Sequence, residues 1–224
     1  MPQINYTRNG YKPDTTFIIM IKLEQTIRGE FWSTFDWNSV DYEGCIVDLG
    51  CLYWDWSNYW FGIKRVIGVD PFETFIPKGS ELFNGVLGPL DCKISMDKPN
   101  NKEIEGVVNY NIDENNVNLY EMLSWKTFCN RFNIDKVSIL KINIEGSEYS
   151  FLDSLDETDF SKINQIVISF HDWLNLDYVD MTKSSIELLK KNGYTVISTY
   201  FKFGWYLCIK NEFINTDYNG RWIW

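Results

Sequence analysis

The 224-residue sequence has few of the residues that build zinc sites and disulfide frameworks. It contains one histidine, and its five cysteines are an odd number without CxxC spacing. Three of them, Cys45, Cys92 and Cys208, lie in apolar, strand-like stretches, where a free cysteine behaves as a small hydrophobe. This pattern argues against a disulfide framework or a zinc site, and it predicts a reducing, cytoplasmic compartment.

Long apolar runs are also missing. The longest near the start covers residues 17–21, far fewer than the roughly 20 residues that a membrane-spanning helix needs. It has neither the basic flank nor the small-residue cleavage site of a signal peptide. We therefore expect no membrane span.

Positive charge is scarce, because 21 lysine and arginine residues face 31 aspartate and glutamate residues, giving a net charge of −10. An acidic surface repels phosphate backbones and anionic lipids, which argues against nucleic acid and membrane surfaces as partners. A neutral or cationic small molecule fits better. Composition leaves open whether the chain forms a homo-oligomer.

Two glycine-rich phosphate-binding motifs are absent. Leu52 and Tyr53 follow Gly50 where a G-x-G-x-x-G loop would need further glycines, and no Walker loop occurs. The sequence therefore argues against a nicotinamide oxidoreductase and a P-loop NTPase. A cofactor without phosphates is the better expectation.

Apolar residues make up 45% of the chain and aromatic residues 17%, enough for a sizeable core in one α/β domain. We predict an N-terminal extension at 1–42, a domain at 43–211 and an aromatic tail at 212–224. A polar, Asn-rich stretch at 97–118 is typical of turns between short edge strands. The tryptophan clusters have two interpretations, namely core packing or a pocket wall that stacks on a sugar or heterocycle.

Short apolar runs alternate with segments of helical spacing. The predicted strands cover residues 45–50, 65–70, 82–87, 137–144, 163–170, 194–200 and 205–210. The predicted helices cover residues 23–35, 54–63, 120–132, 147–155 and 182–191, with Asn133 as a C-cap. This alternation predicts a mostly parallel sheet covered on both faces, with an antiparallel C-terminal hairpin.

Polar residues follow four of these strands at their carboxyl ends, where open α/β sheets bind ligands. Gly50 lets the chain turn and a ligand approach its backbone. Asp70 ends the second strand, where a carboxylate accepts hydrogen bonds from ribose hydroxyls. Together they are typical of an adenosine-containing ligand, although an aspartate before Pro71 is also a common structural turn.

The strand-end motifs occur in a recognisable order. IVDLG at 46–50, VIGVDP at 66–71, LKINIEGSE at 140–148 and ISFHD at 168–172, with SWKTF at 124–128, resemble the FkbM-type S-adenosylmethionine-dependent methyltransferases. The resemblance implies a Rossmann-like methyltransferase fold, S-adenosylmethionine as cofactor and O-methylation, commonly of a sugar or sugar-bearing metabolite. The sequence departs from the family at Leu52 and Trp54, which replace an asparagine and a glycine, and at Asn143, which replaces an aspartate.

This resemblance assigns candidate roles to named residues. The cofactor residues would be Asp48, Gly50, Asp70 and Asn143. His171, beside Asp172, is a candidate general base, because histidine titrates near neutral pH. Glu145 is the second candidate at the acceptor hydroxyl, and we predict that it faces His171. Glu145 and Glu148 could supply two carboxylates to a metal ion. No third oxygen ligand occurs at a characteristic spacing, so we do not predict a metal site.

Three functions stay open at this point. The first is an S-adenosylmethionine-dependent O-methyltransferase acting on a hydroxyl of a sugar or sugar-linked small molecule. The second is a non-catalytic, methyltransferase-like binding module with a degenerate cofactor loop whose pocket Trp54 fills. The third is a structural subunit that uses the aromatic tail. His171 also has the simpler interpretation of a hydrogen-bonded structural residue.

Overall fold

The structure, a computed structural model, describes residues 22–41, 43–96, 119–173, 175, 177–200 and 203–214. The turns predicted at 97–118 lie outside the described residues. Of the predicted N-terminal extension the structure describes residues 22–41, and of the predicted aromatic tail it describes residues 212–214. No helix in the described part of the chain has the length and apolarity to cross a membrane.

Twelve strands and four α-helices make up the described fold. The strands are β1 (Leu23–Gln25), β2 (Thr34–Asp36), β3 (Cys45–Leu49), β4 (Val66–Val69), β5 (Ser80–Phe83), β6 (Val86–Leu87), β7 (Cys92–Ser95), β8 (Leu119–Leu123), β9 (Val137–Ile142), β10 (Ile163–Ser169), β11 (Tyr194–Tyr200) and β12 (Trp205–Lys210). The helices are α1 (Trp125–Phe132), α2 (Glu148–Asp153), α3 (Glu157–Ser161) and α4 (Tyr178–Lys191).

Seven strands form the central sheet in the order β11-β12-β10-β9-β3-β4-β5. The five from β10 to β5 are parallel, and β12 runs antiparallel to both of its neighbours. The chain steps outward from β3 to β5 and then returns to β9 on the other side of β3. The strand order thus reverses between β3 and β9, which is where open α/β sheets bind ligands. The predicted Rossmann-like sheet with a C-terminal antiparallel hairpin is confirmed.

The sheet separates two apolar clusters. All four α-helices contribute to the first, through side chains such as Phe128, Phe151 and Leu189. The second lies on the opposite face and contains Phe35 and Trp60. Every residue of β9 and β10 is buried, as expected for parallel strands covered on both faces.

The N-terminal segment was predicted as a helix at 23–35, and this prediction is wrong. The segment forms the antiparallel pair β1–β2 around a short 3-10 turn. Gly29 adopts a φ of 88°, which ends any helix there. The fully buried Gln165 amide then pairs with the Asp36 backbone through two hydrogen bonds of 2.9 Å, so the hairpin is docked on β10.

Three other predicted elements are replaced, divided or shortened, and the helix predicted at 182–191 begins earlier, at Tyr178. The helix expected at 54–63 is two short 3-10 turns, because Tyr53 and Trp54 adopt φ values of 63° and 57°. The strand expected at 82–87 is divided into β5 and β6. The helix expected from residue 120 begins only at Trp125, after β8, because the Ser124 hydroxyl caps it by accepting a hydrogen bond from Thr127 N. The predicted C-cap at Asn133 is confirmed, with a φ of 50°.

Candidate active site

A cavity of about 160 Å³ lies at the reversal point between β3 and β9. Its walls bring together three of the four predicted cofactor residues with three tryptophans from distant parts of the chain. They are Asp48, Gly50, Asn143, Trp32, Trp56 and Trp205. Trp32 belongs to the N-terminal segment and Trp205 begins β12, so a site predicted from strand ends alone was incomplete.

Gly50 and Asn143 are held in direct contact. The backbone N–H of Asn143 donates to Leu49 O at 3.1 Å, and Gly50 has a φ of 76°. A Cβ atom on Gly50 would lie 1.9 Å from Asn143 O. Only glycine therefore fits this turn. The Asn143 amide makes no hydrogen bond to another residue that the structure describes, so it is available to a ligand.

Asp48 is the acid of the cofactor loop, but Lys141 neutralises it. The Lys141 ammonium lies 2.8 Å from Asp48 Oδ1, with both side chains at most 5% exposed. It also donates to Gly50 O at 2.7 Å, and Ser57 Oγ donates to the other Asp48 oxygen. Asp48 therefore fixes the loop rather than offering a free charge. Lys141 was missed from the sequence, although a lysine inside an otherwise apolar strand indicates a buried partner.

Asp70 lies one strand away and does not line the cavity. Gly50 N donates to Val69 O at 2.8 Å, so the two strand ends are neighbours. Asp70 Oδ1 accepts hydrogen bonds from Phe72 N at 2.8 Å and Glu73 N at 3.0 Å, as in a structural turn. Burial raises the pKa of the Asp70 carboxyl, and these two bonds oppose that rise.

Trp54 is a core residue of the loop and not a cavity wall. It is 2% exposed, and its Nε1 donates to Phe75 O at 2.9 Å. Its ring occupies the space above Gly68, where a Cβ atom would lie 2.4 Å from Trp54 Cη2. Trp54 therefore does not line this cavity, since its ring packs against β4 instead.

A second cluster of polar side chains consists of His171 and two glutamates. His171 Nδ1 lies 2.8 Å from Glu148 Oε1, and Nε2 lies 3.3 Å from Glu145 Oε2. The predicted pair of Glu145 and His171 is thus in direct contact. The expected partner Asp172 is not the group that the ring contacts. Glu148 was missed as a partner because an acid in the first turn of a helix is already explained by the helix dipole.

The two carboxylates control the charge of the imidazole. Burial acts to lower the pKa of His171, but the adjacent carboxylates of Glu145 and Glu148 outweigh it and raise the pKa to about 10. The ring is therefore a cation at neutral pH. Glu145 itself adopts a φ of 54°, a strained conformation of the kind that concentrates at functional sites.

Residues 93–196 match the family model described as the methyltransferase FkbM domain. This segment of the chain, a little under half of it, is similar to the FkbM methyltransferase domain. A crystal structure titled methyltransferase FkbM from Methylobacillus flagellatus KT is similar with a TM-score of 0.47 and 15% identity, over 77% of this chain and 47% of that chain. The chain thus spans about half the length of that protein. No curated protein matches it.

The FkbM match divides the candidate site. The matched segment contains Lys141, Asn143 and the group formed by Glu145, Glu148 and His171. The loop from Gly50 and the strand end at Asp70 precede it. The match therefore covers the part of the site that carries the glutamates and not Asp48, Gly50 or Asp70.

Proposed function

We propose that the chain is a cytoplasmic S-adenosylmethionine-dependent O-methyltransferase that acts on a hydroxyl of a sugar or sugar-linked small molecule. The observation that carries this proposal is the cavity at the reversal point, where a glycine turn, a free amide and an unpaired indole N–H meet. Cytoplasmic location is supported by the five cysteines, all of which are free thiols.

The unpaired indole belongs to Trp56. This side chain is 2% exposed, and its buried Nε1 donates to no acceptor among the described residues. A buried donor without an acceptor costs about 1–3 kcal/mol. Because Trp56 lines the cavity, a ligand oxygen there would satisfy it. The carboxylate at the amino-acid end of S-adenosylmethionine is such an acceptor.

The size and walls of the cavity fit that end of the cofactor. At about 160 Å³ it is smaller than the pockets of about 300–1,000 Å³ that enclose whole ligands. Trp32 and Trp205 lie with ring centroids 5.4 Å apart, and tryptophan faces attract cations such as an ammonium or a sulfonium. Asp55 adds an exposed carboxylate beside them.

The neighbouring strand end suits the nucleoside portion. Asp70 Oδ2 accepts no hydrogen bond from a described residue, whereas Oδ1 holds the turn. Asp70 would therefore receive the ribose hydroxyls through Oδ2. Asn143 would contribute its amide, while Asp48, paired with Lys141, would keep the loop in place.

When bound, the cofactor supplies a methyl group on a positively charged sulfur. The chain then has to align the acceptor hydroxyl and remove its proton, and alignment alone can contribute about 7–11 kcal/mol. A protonated His171 accepts no proton. Glu145 is one quarter exposed and uses only Oε2 to contact the ring, so we assign proton removal to Glu145 and its positioning to His171.

One observation favours the binding-module alternative. The loop after β3 is tied to the loop after β4, because Tyr53 N donates to Glu73 Oε2 at 2.7 Å and Trp54 Nε1 donates to Phe75 O. These bonds occupy the crevice between the two strand ends. A module that holds only the amino-acid end of a ligand would tolerate them, whereas a methyltransferase has to admit the adenosine.

Calorimetric titration with S-adenosylhomocysteine tests the proposal. We expect binding to the wild type and about 10- to 100-fold weaker binding to Trp56→Phe, since one hydrogen bond to a charged group is worth about 1.5–3 kcal/mol. Trp60→Phe is the matched control, because its Nε1 is also buried and unpaired but does not line the cavity. No heat of binding at millimolar ligand would refute the proposal, and equal effects of the two variants would refute the role of Trp56.

A further inference from the structure

An exposed aromatic patch borders His171. Trp173 follows β10 and is 48% exposed, and Phe203 precedes β12 and is 39% exposed. The Trp173 ring centroid lies 5.7 Å from that of His171 and 6.3 Å from that of Phe203. Tyr200 packs behind Phe203 at 5.3 Å. The patch therefore adjoins the same imidazole that Glu145 contacts.

Asp172 adjoins this patch, since it precedes Trp173 in the chain. Its carboxylate makes no hydrogen bond or ion pair with any residue that the structure describes, although the side chain is partly buried. A Cβ atom on Gly204 would lie 3.5 Å from Asp172 Oδ1, which places the carboxylate against the turn that carries Phe203. An acceptor thus lies against Gly204, which follows Phe203, and next to Trp173 in the chain.

This combination has a definite chemical complement. The electron-rich faces of aromatic rings attract the positively polarised edges of C–H bonds. A carboxylate accepts hydrogen bonds from hydroxyl groups. A sugar ring presents both, with C–H bonds on its faces and hydroxyls around its edge.

The angle between the rings excludes one way of holding a flat ligand. Trp173 and Phe203 are inclined at 81°, so they cannot enclose a planar heterocycle between parallel faces. A puckered ring can lie on one face and touch the other with its edge. The net charge of −10 also disfavours an anionic sugar such as a uronic acid or a sugar phosphate.

We propose that Asp172, Trp173 and Phe203 form the acceptor platform, and that it binds a neutral sugar ring with one hydroxyl directed at Glu145. This inference rests on the proposed methyl transfer. Trp173 supplies the stacking surface, Phe203 the adjoining wall and Asp172 the acceptor that orients the ring. His171 connects the platform to Glu145, because it contacts both Trp173 and Glu145.

Saturation-transfer NMR with four methyl glycosides, those of glucose, galactose, mannose and rhamnose, tests the platform. We expect transfer to the ring C–H protons of at least one of them with the wild-type chain. Removing the stacking surface in Trp173→Ala should weaken binding about two- to tenfold, as expected for one aromatic contact. Trp173→Phe should restore part of the signal, and Asp172→Asn should weaken it without abolishing it.

Phe75→Ala is the matched control, because Phe75 is 67% exposed and lies on the loop after β4. It should leave sugar binding unchanged. Absence of transfer to all four glycosides, or equal transfer to wild type and Trp173→Ala, would overturn the platform. Titration of the same samples with S-adenosylhomocysteine separates the two proposals. Cofactor binding without sugar binding refutes the platform alone, and sugar binding without cofactor binding refutes methyl transfer alone.

Discussion

Glu148 and His171 form a fully enclosed contact, in which Glu148 Oε1 lies 2.8 Å from His171 Nδ1 and the Glu148 side chain is 0% exposed. Glu148 also accepts hydrogen bonds of 2.8 Å from the backbone N–H groups of Ile144 and Gly146. One carboxylate therefore holds both the ring and the loop that presents Glu145. The strained φ at Glu145 is maintained by these bonds.

Removing the charge of Glu148 should destabilise the fold. We expect Glu148→Gln to lower the free energy of unfolding by about 3–5 kcal/mol, because it removes one of the two carboxylates that face a buried cation. Urea denaturation measures the change. Asp180→Asn is the control, since Asp180 is 89% exposed and its pair with Lys183 should matter by less than about 0.5 kcal/mol. Similar losses in the two variants would contradict the buried contact.

The charge of His171 should make stability depend on pH in the alkaline range. Its folded pKa of about 10 exceeds its ordinary value of 6.5. The stabilisation is therefore complete below pH 6.5 and is lost as the pH rises towards 10. The charged groups around the ring are Glu145, Glu148 and the adjacent Asp172. Because the chain has one histidine, imidazole NMR follows this titration without overlap, and a midpoint near 6.5 would contradict the account.

The turn at Gly50 should tolerate no side chain. In Gly50→Ala the new methyl group would meet Asn143 O, and the residue would keep a positive φ. We expect a loss of about 2–5 kcal/mol, from about 1–2 for the left-handed conformation and about 1–3 for overpacking. Gly79→Ala is the matched control, because Gly79 has a φ of 88° with nothing within 4 Å. Equal unfolding midpoints for the two variants would show that the close approach to Asn143 is wrong.

The pair of Asp48 and Lys141 should behave as one unit. Lys141→Met alone leaves a buried carboxylate unpaired and should cost about 3–5 kcal/mol. Combining it with Asp48→Asn should recover part of that loss, because the double variant no longer has an unpaired buried carboxylate. A double-mutant cycle by chemical denaturation measures the coupling. Additive losses would mean that the two side chains do not interact.

The sheet and its reversal point could be predicted because buried strands are encoded locally. The apolar runs of β3, β9 and β10 each end in polar residues, and parallel strands place those ends at one edge. The contact between Glu145 and His171 was predictable for the same reason.

The remaining features depend on partners far apart in the chain. Residues 23–35 have helical spacing, but Gln165, 129 residues from Asp36, pairs with the backbone there. Trp32 reaches the cavity because the N-terminal hairpin is docked on β10. Trp205 reaches it because β12 lies antiparallel beside β10. Local sequence around Trp54 did not show that its ring would pack on Gly68. Long-range contacts, and not local preference, decide these positions.

The central claim is that the cavity between β3 and β9 receives the amino-acid end of the cofactor. A crystal structure of the chain grown with S-adenosylhomocysteine tests it most directly. We predict density in the cavity that Gly50 and Asn143 line, with the ligand carboxylate within hydrogen-bonding distance of Trp56 Nε1 and the ribose at Asp70. An unliganded cavity at saturating ligand, or a ligand bound elsewhere on the chain, would contradict the claim.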